Sequence, residues 1–138
     1  MKPILVQSSL PFFACPIAEA VNDLSHASGD ERGAVFTRRE VADFILDLIG
    51  YTSDNPLWRY RLLEPSFGHG DFLLPAVERL LRTYQGTDIV GDLSMAILAV
   101  EIHRDSAAST AERLCSLIEQ YGHSRSDAER LASLWIVD

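Results

Sequence analysis

The sequence predicts an α/β domain: the first half of a doubly wound parallel sheet, with a helical preface. Three observations predict it. Short apolar runs alternate with helical patterns in the order helix, strand, helix, strand, two helices, strand. That alternation implies crossover units around parallel strands. A glycine turn, Gly68-His69-Gly70, separates the first strand-like run from the next helix, and the second run ends on an acid, Val100-Glu101-Ile102. Both features fall at the carboxyl ends of strands, where such sheets bind ligands. The 138 residues suit a single core. The expected division is a preface and loop over 1–36 and a partial α/β domain over 37–138.

The elements follow in order. The start, "MKPILVQSSLPFFACPIAEA", imitates a secretory leader, but Gln7-Ser8-Ser9 and Pro11 interrupt its apolar run. The expectation is a cytoplasmic chain. A short helix is expected over 16–24, with Ile17, Ala20, Val21 and Leu24 on one side, and a polar loop over 25–33. Thr37 and Glu40 have capping-box spacing. Val41, Phe44, Ile45, Leu48 and Ile49 then repeat at helical spacing before Gly50, predicting a helix over 38–49. "TSDNPLW" is a loop, "YRLLEP" a short strand, and "DFLLPAVERLLRTY" a helix with Pro75 tolerated in its first turn. "QGTDIVGDLS" reads as a loop. "MAILAVEI" is nearly continuous in apolar residues, as in a strand buried on both faces. A helix over 105–121 carries Ala108, Ala111, Leu114, Cys115 and Ile118 on one stripe and stops at Gly122. Ser124 and Asp127 make a second capping box, opening a helix with Ala128, Leu131 and Ala132. "LWIV" is the third strand.

Composition narrows the classes. Twenty acidic against twelve basic residues leave a net charge of −8, which repels a phosphate backbone and argues against a module that grips nucleic acid as a whole. Cys15 and Cys115 stand in no metal spacing, so two free buried thiols in a reducing cytosol are expected. No apolar run reaches the length that crosses a bilayer.

The glycine turn and Glu101 point to a nucleoside cofactor. Glycine admits positive φ and lets a ligand approach the backbone. The next helix, expected to begin near Asp71, turns its free amides to the same crevice. A carboxylate at the tip of the second strand can accept both ribose hydroxyls. Both a dinucleotide and S-adenosylmethionine fit that description. The dinucleotide fingerprint is incomplete, because Leu73 stands where its third glycine belongs. Glu64 and Asp71 flank the turn and would repel a pyrophosphate, whereas the sulfonium and ammonium of S-adenosylmethionine suit them.

At this point the residues resemble a known family. "LLEPSFGHGDFL" resembles motif I of the adenine-specific (N6) DNA methyltransferases of restriction–modification systems. "GAVFTRREVADFILDL" resembles their motif X, "AVEIH" their motif II, and "LWIVD" lies where motif III begins. The resemblance implies a Rossmann-like S-adenosylmethionine-dependent fold. It implies that Phe36 and Thr37 contact the methionine part. Glu64, Pro65, Ser66, Gly68 and Gly70 would form the cofactor turn. Glu101 would hold the ribose, Ile102 would pack on the adenine, and Asp138 would be the motif III acid. His69 is expected to be a solvent-facing turn residue rather than a catalyst.

The family's chemistry resides in an Asn/Asp-Pro-Pro-Tyr/Phe motif, which this sequence lacks. Asn55-Pro56-Leu57-Trp58 has one proline too few and falls between motifs X and I, so it is expected to be a loop with a buried Trp. His103-Arg104-Asp105 imitates a kinase catalytic loop without any other kinase element. No catalytic residue and no metal site is therefore assigned. The resemblance implies DNA as partner only through a C-terminal part that is absent here. The expectation is a chain truncated before the catalytic motif, inactive alone, whose first strand has an open apolar edge for a protein partner or self-association. Two other readings stand beside this one. One is a non-catalytic remnant or interaction module. The other is a methyltransferase acting on a different planar amide or amine, such as a protein glutamine or an RNA adenine.

Overall fold

The computed structural model describes residues 37–137. The expectations for 1–36, among them Cys15 and Phe36, and for Asp138 lie outside the described residues. Element order is α1 (Arg39–Leu48), a 3-10 turn (Leu57–Arg59), β1 (Leu62–Glu64), α2 (Leu73–Thr83), α3 (Ile89–Leu93), β2 (Ile97–Val100), α4 (Arg104–Gln120), α5 (Arg125–Trp135) and β3 (Ile136–Val137). The three strands are parallel in the order β1-β2-β3. The expected α/β class and parallel sheet hold, and β1 lies at an edge among the described residues.

Register sorts the side chains. Leu62 pairs with Ile97, Leu63 with Leu98, Glu64 with Ala99, and Ala99 in turn with Ile136. Paired residues share a face, so Leu62, Ile97, Ala99 and Ile136 look toward the helices. Ile97 and Ala99 are buried there with Leu73, Val77, Leu80, Leu114, Ile118 and Leu131. The opposite face carries Leu63, Leu98 and Val137, which are 62%, 46% and 46% exposed. The expectation that β2 is buried on both faces is thus wrong: helices cover only one side, and the apolar run reflects one packed face and one bare face.

Several local expectations also shift. The Thr37–Glu40 capping box does not form. Arg38 is the N-cap, without a side-chain cap bond, and its carbonyl takes the amides of Val41 and Ala42. Ion pairs set this start instead: Arg39 reaches Asp43 at 2.7 Å and Glu78 on α2 at 2.6 Å. α1 packs through Ala42 and Leu46, while its predicted apolar stripe, Val41, Phe44, Ile45, Leu48 and Ile49, is 38–68% exposed. Arg79 on α2 holds α1 down, donating to Asp47 Oδ1, the Tyr51 carbonyl, the Asp43 carbonyl and Asp43 Oδ1 at 2.6–3.0 Å.

The expected loop over 85–94 contains α3, because the Asp88 carboxylate accepts from the Gly91 amide at 2.9 Å and caps it. The buried stripe of α4 runs through Ala107, Thr110, Leu114, Cys115 and Ile118, with Ala108 exposed. The stripe was mis-set because a threonine occupies one of its positions. The Ser124–Asp127 box forms as expected, with the Asp127 amide donating to Ser124 Oγ at 3.1 Å. The third strand is shorter than "LWIV". Trp135 ends α5, fully buried, and its indole Nε1 donates to the Leu93 carbonyl at 2.8 Å. Asn55 closes a turn by donating to the Gly50 carbonyl, and beside it Leu57, not Trp58, is the buried residue.

Candidate functional site

The site begins where β1 ends. Glu64 is half-buried and accepts from the Ser66 amide at 3.3 Å, while Pro65 and Ser66 are exposed. The chain then turns through Phe67, whose ring is buried and whose amide donates to the Val100 carbonyl at 3.3 Å. This bond ties the turn to the end of β2.

Two glycines shape the turn, for different reasons. Gly68 has φ +52° and open space where a Cβ would stand, so its need is conformational. Gly70 has φ +82°, and a Cβ there would lie 2.8 Å from Thr110 Cγ2 and 3.2 Å from Leu74 Cγ. Its need is close approach as well as conformation. Gly70 also accepts from the Leu74 amide at 2.9 Å, which carries the turn into α2 two residues later than expected.

Glu101 locks the arrangement. Its side chain is buried, at 4% exposure. Oε2 accepts from the Gly68 amide and Oε1 from the His103 amide, each at 2.8 Å. Those amides, His103 first, hold its carboxyl below the usual carboxylate range, against the opposing effect of burial. Every buried side-chain polar atom among the described residues has a partner. Glu101 is therefore a structural tie between the second strand and the glycine turn, in addition to any role toward a ligand.

Thr110 and Arg113 supply a second tether that sequence reasoning missed. Thr110, fully buried on α4, donates from Oγ1 to the Gly68 carbonyl at 3.1 Å, and Arg113 donates to the His69 carbonyl. The available signal was a lone threonine inside the apolar stripe of α4. His69 is half-buried rather than solvent-facing.

The other expected positions divide into two groups. Ile102 follows Glu101 and is 81% exposed, an apolar side chain at the carboxyl edge with nothing packed over it. Thr37 lies elsewhere, in a groove of about 750 Å³ that it lines with Gly70, Asp71, Glu78, Ser109 and Arg113. Gly70 thus belongs both to this groove and to the turn that Glu101 holds. No cluster of metal-ligating side chains exists among the described residues, and no helix there is long and apolar enough to cross a membrane.

The residues present fit a nucleoside ligand. A carboxylate accepts only, each of its oxygens keeps a lone pair beyond the bond it makes, and the space above Gly68 is open. The exposed Ile102 supplies an apolar surface next to the acid.

Comparison with known proteins points the same way. The chain is 46% identical over 140 residues to the Type II methyltransferase M.PaeR7I of Pseudomonas aeruginosa, a match covering 97% of this chain and 24% of that relative. It is 45% identical over 113 residues to M.XhoI of Xanthomonas vasicola, covering 78% of this chain and 21% of the relative. It is 38% identical over 110 residues to M.BstVI of Geobacillus stearothermophilus, covering 76% and 20%. The chain thus spans between 20% and 24% of the length of these relatives. No family model and no solved structure matches it. Over the matched stretch it is a relative of the Type II methyltransferases, as its motifs implied.

Proposed function

We propose that this relative of the Type II methyltransferases is the S-adenosylmethionine-binding part of a site-specific DNA adenine-N6 methyltransferase. The observation that carries the reading is the buried Glu101 carboxylate tied to the glycine turn at the carboxyl ends of adjacent parallel strands. The named relatives support the methyltransferase class. The motif order supports adenine as the target.

In this reading Glu101 accepts the ribose hydroxyls, Ile102 packs on the adenine ring, and Gly68 and Gly70 let the ligand approach the backbone. Glu64 and Asp71 place negative charge near the cationic methionine end, and Thr37, with Phe36 before it, meets the methionine part. Asp138 is the acid proposed for the cofactor's adenine amino group. When bound, S-adenosylmethionine supplies the methyl group that the complete enzyme transfers to the adenine nitrogen. No residue of this chain is assigned to the transfer itself, and DNA is the proposed partner of the complete enzyme.

Calorimetric titration of the purified chain with S-adenosylmethionine tests the proposal. Measurable binding is expected, weakened at least tenfold in Glu101→Ala. Absence of binding by the wild type refutes it and favours a second reading, a non-catalytic relative that works through its sheet edge. The bare face of Leu63, Leu98 and Val137 is what keeps that reading in play. The chain alone is expected to leave DNA adenine unmethylated in a labelled-methyl assay.

A further inference from the structure

The helical layer reaches further than the sheet beneath it. α5 packs on β2, β3 and α4, α4 packs on α2, and α2 packs on α1. α2 connects β1 to β2 and so lies over them, which puts α1 beyond the β1 edge, on the side away from α4. Packed helices stand 8–10 Å apart, roughly twice the strand spacing of about 4.8 Å. One helix past α2 therefore overhangs about two strand positions beyond β1. Among the described residues no strand occupies them.

Two surfaces flank that gap. The β1 edge offers backbone groups: the Leu62 amide donates inward to the Ala96 carbonyl at 2.9 Å, and the alternation of a parallel ladder turns the amide and carbonyl of Leu63 outward. α1 offers its stripe of Val41, Phe44, Ile45, Leu48 and Ile49, on the face opposite the one that packs on α2. An open strand edge beside an uncovered apolar helix face is half of a helix-on-sheet layer.

We infer that the β1 edge and the α1 stripe form one seat for further parallel strands, supplied by the part of a Type II methyltransferase that this chain does not match. That occupant follows from the lengths: the relatives extend over roughly four times the stretch this chain covers, and the sheet stops where its helices continue. The inference rests on the methyltransferase reading above and extends it to the partner surface.

The test is co-expression of the tagged chain with the unmatched part of M.PaeR7I as a separate polypeptide, followed by light scattering of the purified product. A one-to-one complex is expected. Phe44→Glu and Leu48→Glu change exposed side chains, so each variant should melt like the wild type alone yet bind the second polypeptide at least tenfold more weakly. Leu63→Pro, which removes the outward amide, should weaken it also. No complex with the wild type overturns the inference, as does a complex indifferent to both α1 variants. So does a dimer of the chain alone that the α1 variants abolish, because a second copy is then the occupant. S-adenosylmethionine titration of the same samples separates this failure from failure of the cofactor reading.

Discussion

Replacing Gly70 by alanine should destabilise the chain far more than replacing Gly68, although both glycines have positive φ. The conformational cost is shared. An L-residue in the left-handed region loses about 1–2 kcal/mol, and φ values of +52° at Gly68 and +82° at Gly70 expose both positions to it. The steric cost is not shared. Nothing stands within 4 Å of a Cβ at Gly68, whereas at Gly70 it meets Thr110 Cγ2 at 2.8 Å and Leu74 at 3.2–3.3 Å. Thr110 is fully buried and bonded to the Gly68 carbonyl, so it cannot swing aside without breaking that bond. Overpacking of this kind costs about 1–3 kcal/mol. Gly68→Ala should therefore lose about 1–2 kcal/mol and Gly70→Ala about 2–5 kcal/mol in urea unfolding.

A double-mutant cycle sharpens the claim. Thr110→Ser keeps the hydroxyl and deletes the methyl that the new Cβ strikes. Combined with Gly70→Ala it should cost less than the sum of the two single changes, by about 1 kcal/mol. Equal losses at the two glycines, or strict additivity in the cycle, would refute the close-approach argument.

Arg79→Met should cost about 2 kcal/mol, because it removes four bonds from a mostly buried guanidinium that fastens α1 to α2. Arg125→Met, which breaks three exposed ion pairs, should shift the urea midpoint much less, and less still in salt. The Glu101 carboxyl titrates below its unfolded value of about 4.3. Its contribution is therefore complete above that pH and is lost as pH falls through the folded value. The stability gap between wild type and Glu101→Gln should be wide at neutral pH and close on acidification. Burial raises the Cys115 thiol. In a Cys15→Ser background it should react with a disulfide reagent at least tenfold faster in denaturant than in buffer.

Much of the frame was legible because it depends on local signals. Apolar runs bounded by glycine and proline placed β1 and β2, and the Ser124–Asp127 box marked the start of α5. The glycine turn and the acid after β2 could be paired on paper because parallel strands bring their carboxyl ends together. What escaped depends on partners distant in sequence. The start of α1 follows from Arg39 bonding to Glu78, 39 residues away, rather than from a local cap. The apolar stripe of α1 was legible as a helix signal, but a periodic stripe says nothing about whether its cover is present. The burial of Trp135, which lengthens α5 at the expense of β3, needs the Leu93 carbonyl 42 residues earlier. Thr110 was hidden by its residue type, a hydroxyl inside an apolar row.

That hydroxyl decides how loss of cofactor binding in Glu101→Ala should be understood. Glu101 bonds the Gly68 amide while Thr110 bonds the Gly68 carbonyl, so the same peptide turn is held from both sides. Removing the carboxylate would loosen the turn even if Glu101 never touched a ribose. An isosteric Glu101→Gln does not escape the difficulty, since an amide has one acceptor oxygen for two donating amides and presents an NH₂ to the other. Thr110→Val does separate the roles. It keeps the buried volume, deletes the second tether, and leaves the carboxylate in place. If Glu101 holds the ribose directly, Thr110→Val should weaken S-adenosylmethionine only a few-fold, while Glu101→Ala weakens it at least tenfold at equal loss of stability. Equal weakening by the two variants would assign Glu101 to positioning the turn and remove it from the ligand contacts.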